Sequence, residues 1–386
     1  MKRPGESHGQ GGWASRLMSA RVLALLPALV LGVLVATGTG LDVAHSRGYP
    51  VAVTVLLAIG LYASTHGIDV VEFRNRWKTV LIAVTIGVFV KAALISAVMF
   101  AFYREPYVLL LAIAMAQIDP LSVAAMRAKS RMSEQGKALL AAWAAFDDPV
   151  TVLLTAYLTA AIVPSAGAGP AVLPSGLAAA GGNFLANAAL VVAVWLIRLA
   201  VRSRNPASAA GRRVRAGLEV VLLLACGTAA VHWSLLLGLA VTGLFLRPDF
   251  GAVLDRAVTA CLVLAAFAVG LVLAGGVRIV PGIVLGTAAY GAQIVVALLL
   301  TAPRAWRADR AKLALGQQNG LTALVLALVL EPVVPVAVAT VGPAILVVNL
   351  WHAAANGVWD RRHRFPRICA TRAERSNEVP HAEHAG

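Results

Sequence analysis

The stretch YVLLLAIAMAQIDPLSVAAM, residues 107–126, carries one charge, at Asp119. The next apolar stretch, ALLAAWAAFDDPVTVLLTAYL at 138–158, carries two, at Asp147 and Asp148. In each, an aspartate precedes a proline, Pro120 or Pro149. A carboxylate in the middle of a membrane span costs roughly 2.5–3.5 kcal/mol on insertion scales, so such residues are rare and mark ion paths or proton relays. Whether these stretches cross a bilayer therefore decides the reading of the chain.

The composition says that they do. Of 386 residues, 59% are hydrophobic and only 13% charged, with a mean hydropathy of +0.80. Soluble domains carry about 25% charged residues. Many of the apolar runs approach the ~20 residues that span a bilayer as helix. An all-α polytopic membrane protein follows. The net charge of +15 does not point to nucleic acid, because the basic residues sit in short loops between apolar runs and no aromatic-basic pattern accompanies them. Three cysteines without motif spacing, Cys226, Cys261 and Cys369, argue against a disulfide framework or a metal site. No cofactor is expected.

Twelve apolar segments are drawn: 22–41, 50–66, 78–103, 107–127, 137–162, 181–202, 215–230, 233–247, 257–275, 279–301, 312–331 and 333–352. The seventh and eighth are short enough to form one bent hairpin. The first follows a basic leader, 1–21; it is long for a signal peptide and is kept as a span. Of the 33 lysines and arginines, 28 fall in the two termini and the loops after even-numbered spans, and only Arg47, Arg104 and Arg278 fall on the other side. This asymmetry puts both termini in the cytoplasm of a cell-membrane protein. The membrane domain, 22–352, divides into halves 22–202 and 215–352 at the basic linker RSRNPASAAGRRVR. The loop 163–176 is expected to be flexible and external, and the charged tail 353–386 disordered.

Depth brings the acids together. Asp119 is twelve residues into span four, roughly 18 Å, and Asp148 eleven into span five, roughly 16 Å, against a core of ~30 Å. Carboxylates at matching depth on consecutive helices share one cavity. Pro120 and Pro149 free the carbonyls of Ala116 and Ala145 and bias each preceding aspartate away from helix, so both spans are expected to be interrupted at the midplane. Gln317, Gln318, Asn319 and Gly320 mark a further interruption in span eleven. Span four and span eleven run in opposite directions, so an inverted repeat, three–four–five against ten–eleven–twelve, would cross two broken helices at the site.

At these residues the chain resembles the monovalent cation:proton antiporters, including the sodium/proton exchangers. AQIDPLSVAAM looks like their Thr-Asp-Pro motif, and FDDPVTVLL like their Asn-Asp or Asp-Asp motif one helix later. HWSLLLGLAVTGLFL and QQNGLTALVLAL resemble their later helices. The resemblance runs from about 22 to 352. It implies that Asp148 is the main ion and proton carrier, that Asp119 sits at the crossing, and that Asp147 pairs with a cation or gates the site. Asp148 and Asp119 would hold the monovalent cation, helped by Ser122 and the freed carbonyls.

The departures from that pattern are specific. Ile118 replaces a threonine, Trp143 and Ala144 stand where many members have Glu-Ser, and Asn319 stands where many have arginine. Span ten lacks the basic residue that usually faces the acidic pair. Lys91 is thirteen residues into span three, roughly 20 Å deep, on the repeat counterpart of span ten. A lysine there needs a partner, Asp147 or Asp119. Histidines 45, 66, 232 and 352 and Glu219 lie near span ends and read as interfacial.

The expected activity is exchange of Na⁺, Li⁺ or K⁺ for protons by alternating access, with cation and proton competing for a buried carboxylate. A homodimer in the bilayer is expected. Three alternatives stay open: a proton-coupled carrier of another small solute, a transport-inactive sensor on the same fold, and an intramembrane aspartyl protease. The last would need Tyr-Asp and Gly-x-Gly-Asp signatures, which are absent.

Overall fold

The computed structural model describes residues 10–40, 43–44, 46–68, 81–120, 122–123, 132–162, 177–203 and 209–376. The loop 163–176, residues 204–208 of the linker and residues 1–9 lie outside them. Among the described residues, ordered structure is helical throughout. In chain order the helices are α1 Gln10–Thr39, α2 Tyr49–His66, α3 Val88–Tyr103, α4 Val108–Ala114, α5 Glu134–Ile162, α6 Leu177–Ser203, α7 Ala209–His232, α8 Leu236–Thr242, α9 Ala252–Leu273, α10 Ile279–Leu300, α11 Arg310–Ala314, α12 Leu321–Leu330 and α13 Ala337–Ser376. A π-helical turn, Ala83–Gly87, leads into α3. Eight helical stretches are long and apolar enough to cross a membrane, and Leu25–Thr39 is a shorter apolar one. This is a polytopic helical membrane protein.

Each of the twelve segments contains helix, and the exceptions to full-length helices are informative. Span four leaves the helix after α4 and turns helical again at Pro120, and span eleven is split into α11 and α12 by an unwound stretch over 315–320. Span eight is a short helix, α8, followed by turns. Span five corrects the expectation of a break at Pro149: α5 runs unbroken through that proline. The carbonyl of Ala145, which loses its helical donor to Pro149, accepts a hydrogen bond from Ser64 Oγ on α2 at 3.2 Å. A neighbouring hydroxyl thus meets the need that would otherwise favour opening the helix. In the tail, the backbone helix of α13 runs on through Ser376, and residues 377–386 lie outside the described ones. Alanine and arginine in that stretch are good helix formers even without an apolar face.

The helices sort into two packed units. In one, α10 packs along α13 and α3, with α4, α5, α11 and α12 against them. In the other, α1 packs along α9, and α2 and α6 pack on α8. The units meet where α2 lies against α5 and α12, and α9 against α12. In a bilayer no hydrophobic effect drives helices together, so close contact depends on small residues. Gly32 of α1 and Gly270 of α9 are such a pair: a Cβ on Gly270 would stand 2.1 Å from the Leu29 carbonyl, and one on Gly32 2.2 Å from that of Phe267. Gly282 and Gly286 let α10 approach Pro343 and Ala344 of α13 in the same way.

A Gly270→Leu substitution should therefore push α1 off α9 and destabilise the protein by about 1–3 kcal/mol, the usual cost of overpacking. A lowered midpoint in thermal unfolding of the detergent-purified protein checks this. An unchanged midpoint would show that the contact does not matter.

Candidate functional site

The two interrupted segments cross, and their unwound backbone is satisfied by the crossing itself. The amide of Asp119 donates to the carbonyl of Gln318 at 2.8 Å. Gln317 Nε2 donates to the carbonyl of Gln117 at 2.8 Å. Asn319 Nδ2 donates to the carbonyls of Gln117 at 3.0 Å and Met115 at 3.3 Å. Asn349 of α13 braces the other side, donating to the Asn319 carbonyl at 3.0 Å. A buried polar backbone without such partners would cost several kcal/mol per group. Neutral amides do this work where the resemblance expected an arginine.

The dipeptide Asp119–Pro120 has a local logic. Pro120 takes the first position of a new helical turn, where its missing N–H costs nothing. Asp119 caps that turn: its Oδ2 accepts from the Ser122 amide at 2.9 Å and the Ser122 hydroxyl at 2.6 Å. Ser122 is thus committed to Asp119. Gly320 is required opposite, because a Cβ there would stand 2.7 Å from the Asp119 carboxyl carbon.

Asp148 lies on α5 facing this crossing and is fully buried. Thr322, in the first turn of α12, donates to Asp148 Oδ2 at 2.9 Å. The other oxygen, Oδ1, is buried with no hydrogen-bond partner among the described residues. Asp148, Asp119, Pro120, Thr322 and Ser64 line one small cavity of about 20 Å³. That is room for about one water-sized body. The N-terminus of α12 points its partial positive charge at the same place, which favours the two carboxylates. A far larger cleft of about 780 Å³ opens among α2, α7 and α9, but the residues lining it, among them Val51, Leu223 and Phe250, include no carboxylate. The larger space is therefore not the site.

Lys91 of α3 and Asp147 form a separate group behind Asp148, and both are fully buried. Lys91 Nζ is 3.3 Å from Asp147 Oδ2, and it donates to Gln293 Oε1 of α10 at 3.1 Å and to Gln317 Oε1 at 3.3 Å. The ammonium also lies over the Trp143 ring, 5.7 Å from its centroid. Of the two acids that sequence offered Lys91, the fold brings it to Asp147. Span ten, which carries no basic residue, turns a neutral acceptor, Gln293, to the same lysine.

The site as a whole thus gathers Asp119, Asp147, Asp148, Pro120, Ser122, Lys91, Gln318, Asn319 and Gly320 at one crossing. Pro149 contributes indirectly, through the Ala145 carbonyl held by Ser64. Sequence reasoning missed Ser64, Thr322 and Gln293, and also Thr151, whose hydroxyl contacts Gln117 Oε1 at 3.1 Å and the Asp148 carbonyl at 2.9 Å. Single hydroxyls and amides in long apolar helices are common, so only their contacts in three dimensions set these apart.

No family model and no curated protein matches the sequence. Solved structures do match. The structure of the sodium proton antiporter MjNhaP1 from Methanocaldococcus jannaschii at pH 8 superposes with a TM-score of 0.64 over 89% of this chain and 98% of that one, at 15% identity. The chain has the fold of a sodium proton antiporter. An electron-microscopy map structure of MjNhaP1 matches with a TM-score of 0.55 at 17% identity, covering 91% of this chain and 95% of that one. At this identity the likeness concerns the path of the helices, while the chemistry at the crossing is read from this chain's own residues.

The Lys91 group makes its own prediction. Lys91→Met should leave Asp147 buried beside two amides and destabilise the protein by about 3–5 kcal/mol, as removal of one partner of a buried pair does. Adding Asp147→Asn should recover most of that loss. Chemical denaturation of the two single variants and the double variant measures the coupling, and additive losses would mean that the pair is not an interacting unit.

Proposed function

We propose that this chain is a secondary transporter, not an enzyme, that exchanges a monovalent cation for protons by alternating access. The observation that carries the reading is Asp148: fully buried, with one oxygen lacking a hydrogen-bond partner among the described residues, beside a cavity for one small body shared with Asp119. A carboxylate out of water needs a compensating positive charge, and either a proton or a cation can supply it. The two cannot occupy the same carboxylate together. Exchange follows if the site opens to one side of the membrane at a time.

The architecture supports that last requirement. Asp119, Asp147, Asp148 and Lys91 all belong to the unit built on α3–α5 and α10–α13, while α1, α2 and α6–α9 form the other. Movement of one unit against the other carries the carboxylates with it and leaves the internal packing of each unit intact. The crossing, held by hydrogen bonds within the carrying unit, travels as a piece.

The alternatives receive less support. A carrier of an organic anion would need positive charge at the cavity, and the buried lysine is turned to Asp147, Gln293 and Gln317. The reading includes a cell-membrane location with both termini cytoplasmic, supported by the sorting of lysine and arginine along the chain. It also includes a homodimer, for which α6 and α7 offer exposed apolar residues such as Leu185, Trp195, Val221 and Leu224.

In inside-out vesicles with an imposed pH gradient, Na⁺, Li⁺ or K⁺ should dissipate the gradient when the native protein is present. Asp148→Asn should abolish the response at every pH. If no monovalent cation moves protons under any condition, the exchange reading fails and a transport-inactive role on the same fold replaces it.

A further inference from the structure

The cavity at Asp148 contains two neutral oxygens in places that no sequence motif marked. Thr322 Oγ1 reaches Asp148 Oδ2 from the first turn of α12, and Thr322 is itself buried. Ser64 lines the same cavity from α2, in the other unit. Its hydroxyl donates to the Ala145 carbonyl at 3.2 Å. A serine hydroxyl has one proton to donate and two lone pairs to offer. With its proton on a carbonyl that Pro149 stripped of its helical donor, Ser64 faces the cavity as an oxygen ligand.

We propose that Thr322 and Ser64 are the neutral oxygen ligands that determine which monovalent cation the Asp148 site accepts, and that they favour Li⁺ and Na⁺ over K⁺. The proposal rests on the exchange reading above and adds the residues that make it selective. The hydroxyls at the positions next to the acids are gone, since Ile118 and Ala144 carry none. Ser122 does not replace them, because it is not among the residues that line the cavity. Thr322 and Ser64 are the cavity-lining hydroxyls that remain.

Size and charge set the preference. A cavity of about 20 Å³ admits an ion only after it sheds most of its water, so protein oxygens must replace the lost shell. Asp148 Oδ1, buried and lacking a hydrogen-bond partner among the described residues, supplies a strong ligand. Attraction between unit charges scales as 1/r, so an ion with a shorter contact distance gains more from a carboxylate than a larger one does. Strong ligand fields in a small site tip the balance toward the smaller ions. Ser64 adds a second consequence. It belongs to α2, so the full ligand set exists only while the two units are apposed at α2 and α5. Relative movement of the units removes one ligand and loosens the ion.

The test reads binding directly. The detergent-purified full chain is titrated with LiCl, NaCl, KCl and choline chloride, and thermal stabilisation gives the half-saturating concentration for each. In the native protein Li⁺ and Na⁺ should stabilise at lower concentration than K⁺, with choline inert. Thr322→Val should raise the half-saturating Na⁺ and Li⁺ concentrations about tenfold or more, as loss of a polar contact to a charged group does. Thr322→Ser should restore native values. Ser64→Ala should weaken Na⁺ by about threefold and narrow its advantage over K⁺. If Thr322→Val fails to fold, Ser64→Ala alone and combined with Thr322→Ser decides the matter. Native half-saturation in Thr322→Val and Ser64→Ala, equal stabilisation by K⁺ and Na⁺, or no stabilisation of the native protein by any of these cations would each overturn the assignment. Selective stabilisation without exchange in vesicles would instead refute the transport reading and leave the ligand assignment standing.

Discussion

Backbone that leaves the helix inside a bilayer has no water to turn to, and the rest of this structure depends on how that demand is met. Two chain segments unwind at the same depth, and each supplies what the other lacks. The Asp119 amide meets the Gln318 carbonyl, while the side chains of Gln317 and Asn319 reach the carbonyls of Met115 and Gln117. Neither interruption is tolerable alone. Together they create the only kind of place in such a protein where a short carboxylate can stand among helix ends rather than against helix sides. Gly320 belongs to the same requirement, since its hydrogen is all that fits against Asp119.

The charges at the crossing divide by role. Asp147 and Lys91 neutralise one another in a dry pocket, with Gln293, Gln317 and Trp143 completing the lysine's surroundings. Such pairs bring little net stability, because desolvation offsets their attraction. Their value lies in what they leave over. With Asp147 turned to Lys91, Asp148 is the member of the pair that lines the small cavity shared with Asp119. The positive charge at the crossing thus comes from Lys91 on α3, and α10 adds the neutral Gln293 to the same group.

The two Asp-Pro pairs show how far local sequence reaches. Both looked like breaks. At Asp119–Pro120 the break is real, and the proline opens a new turn capped by the aspartate. At Asp148–Pro149 the helix runs on, and Ser64 from a distant helix takes the orphaned carbonyl. Nothing within several residues of either pair distinguishes them. What differs is whether a partner is available across the packing interface. The same limit hid Thr322 and Gln293, which are ordinary polar residues in apolar runs until packing places them against Asp148 and Lys91.

The sequence by itself determined that this chain lives in a membrane as a bundle of helices, and it set Asp119 and Asp148 at matching depth. Those are properties of composition and linear spacing, which a rise of ~1.5 Å per residue converts directly into height. Only the tertiary structure decided which acid Lys91 neutralises, which proline breaks its helix, and which hydroxyls surround the cavity at Asp148. Those depend on rotation about helix axes and on contacts between segments as far apart as Asp148 and Thr322. A one-dimensional pattern gives depth in the bilayer, but the partner across a helix interface is set by packing.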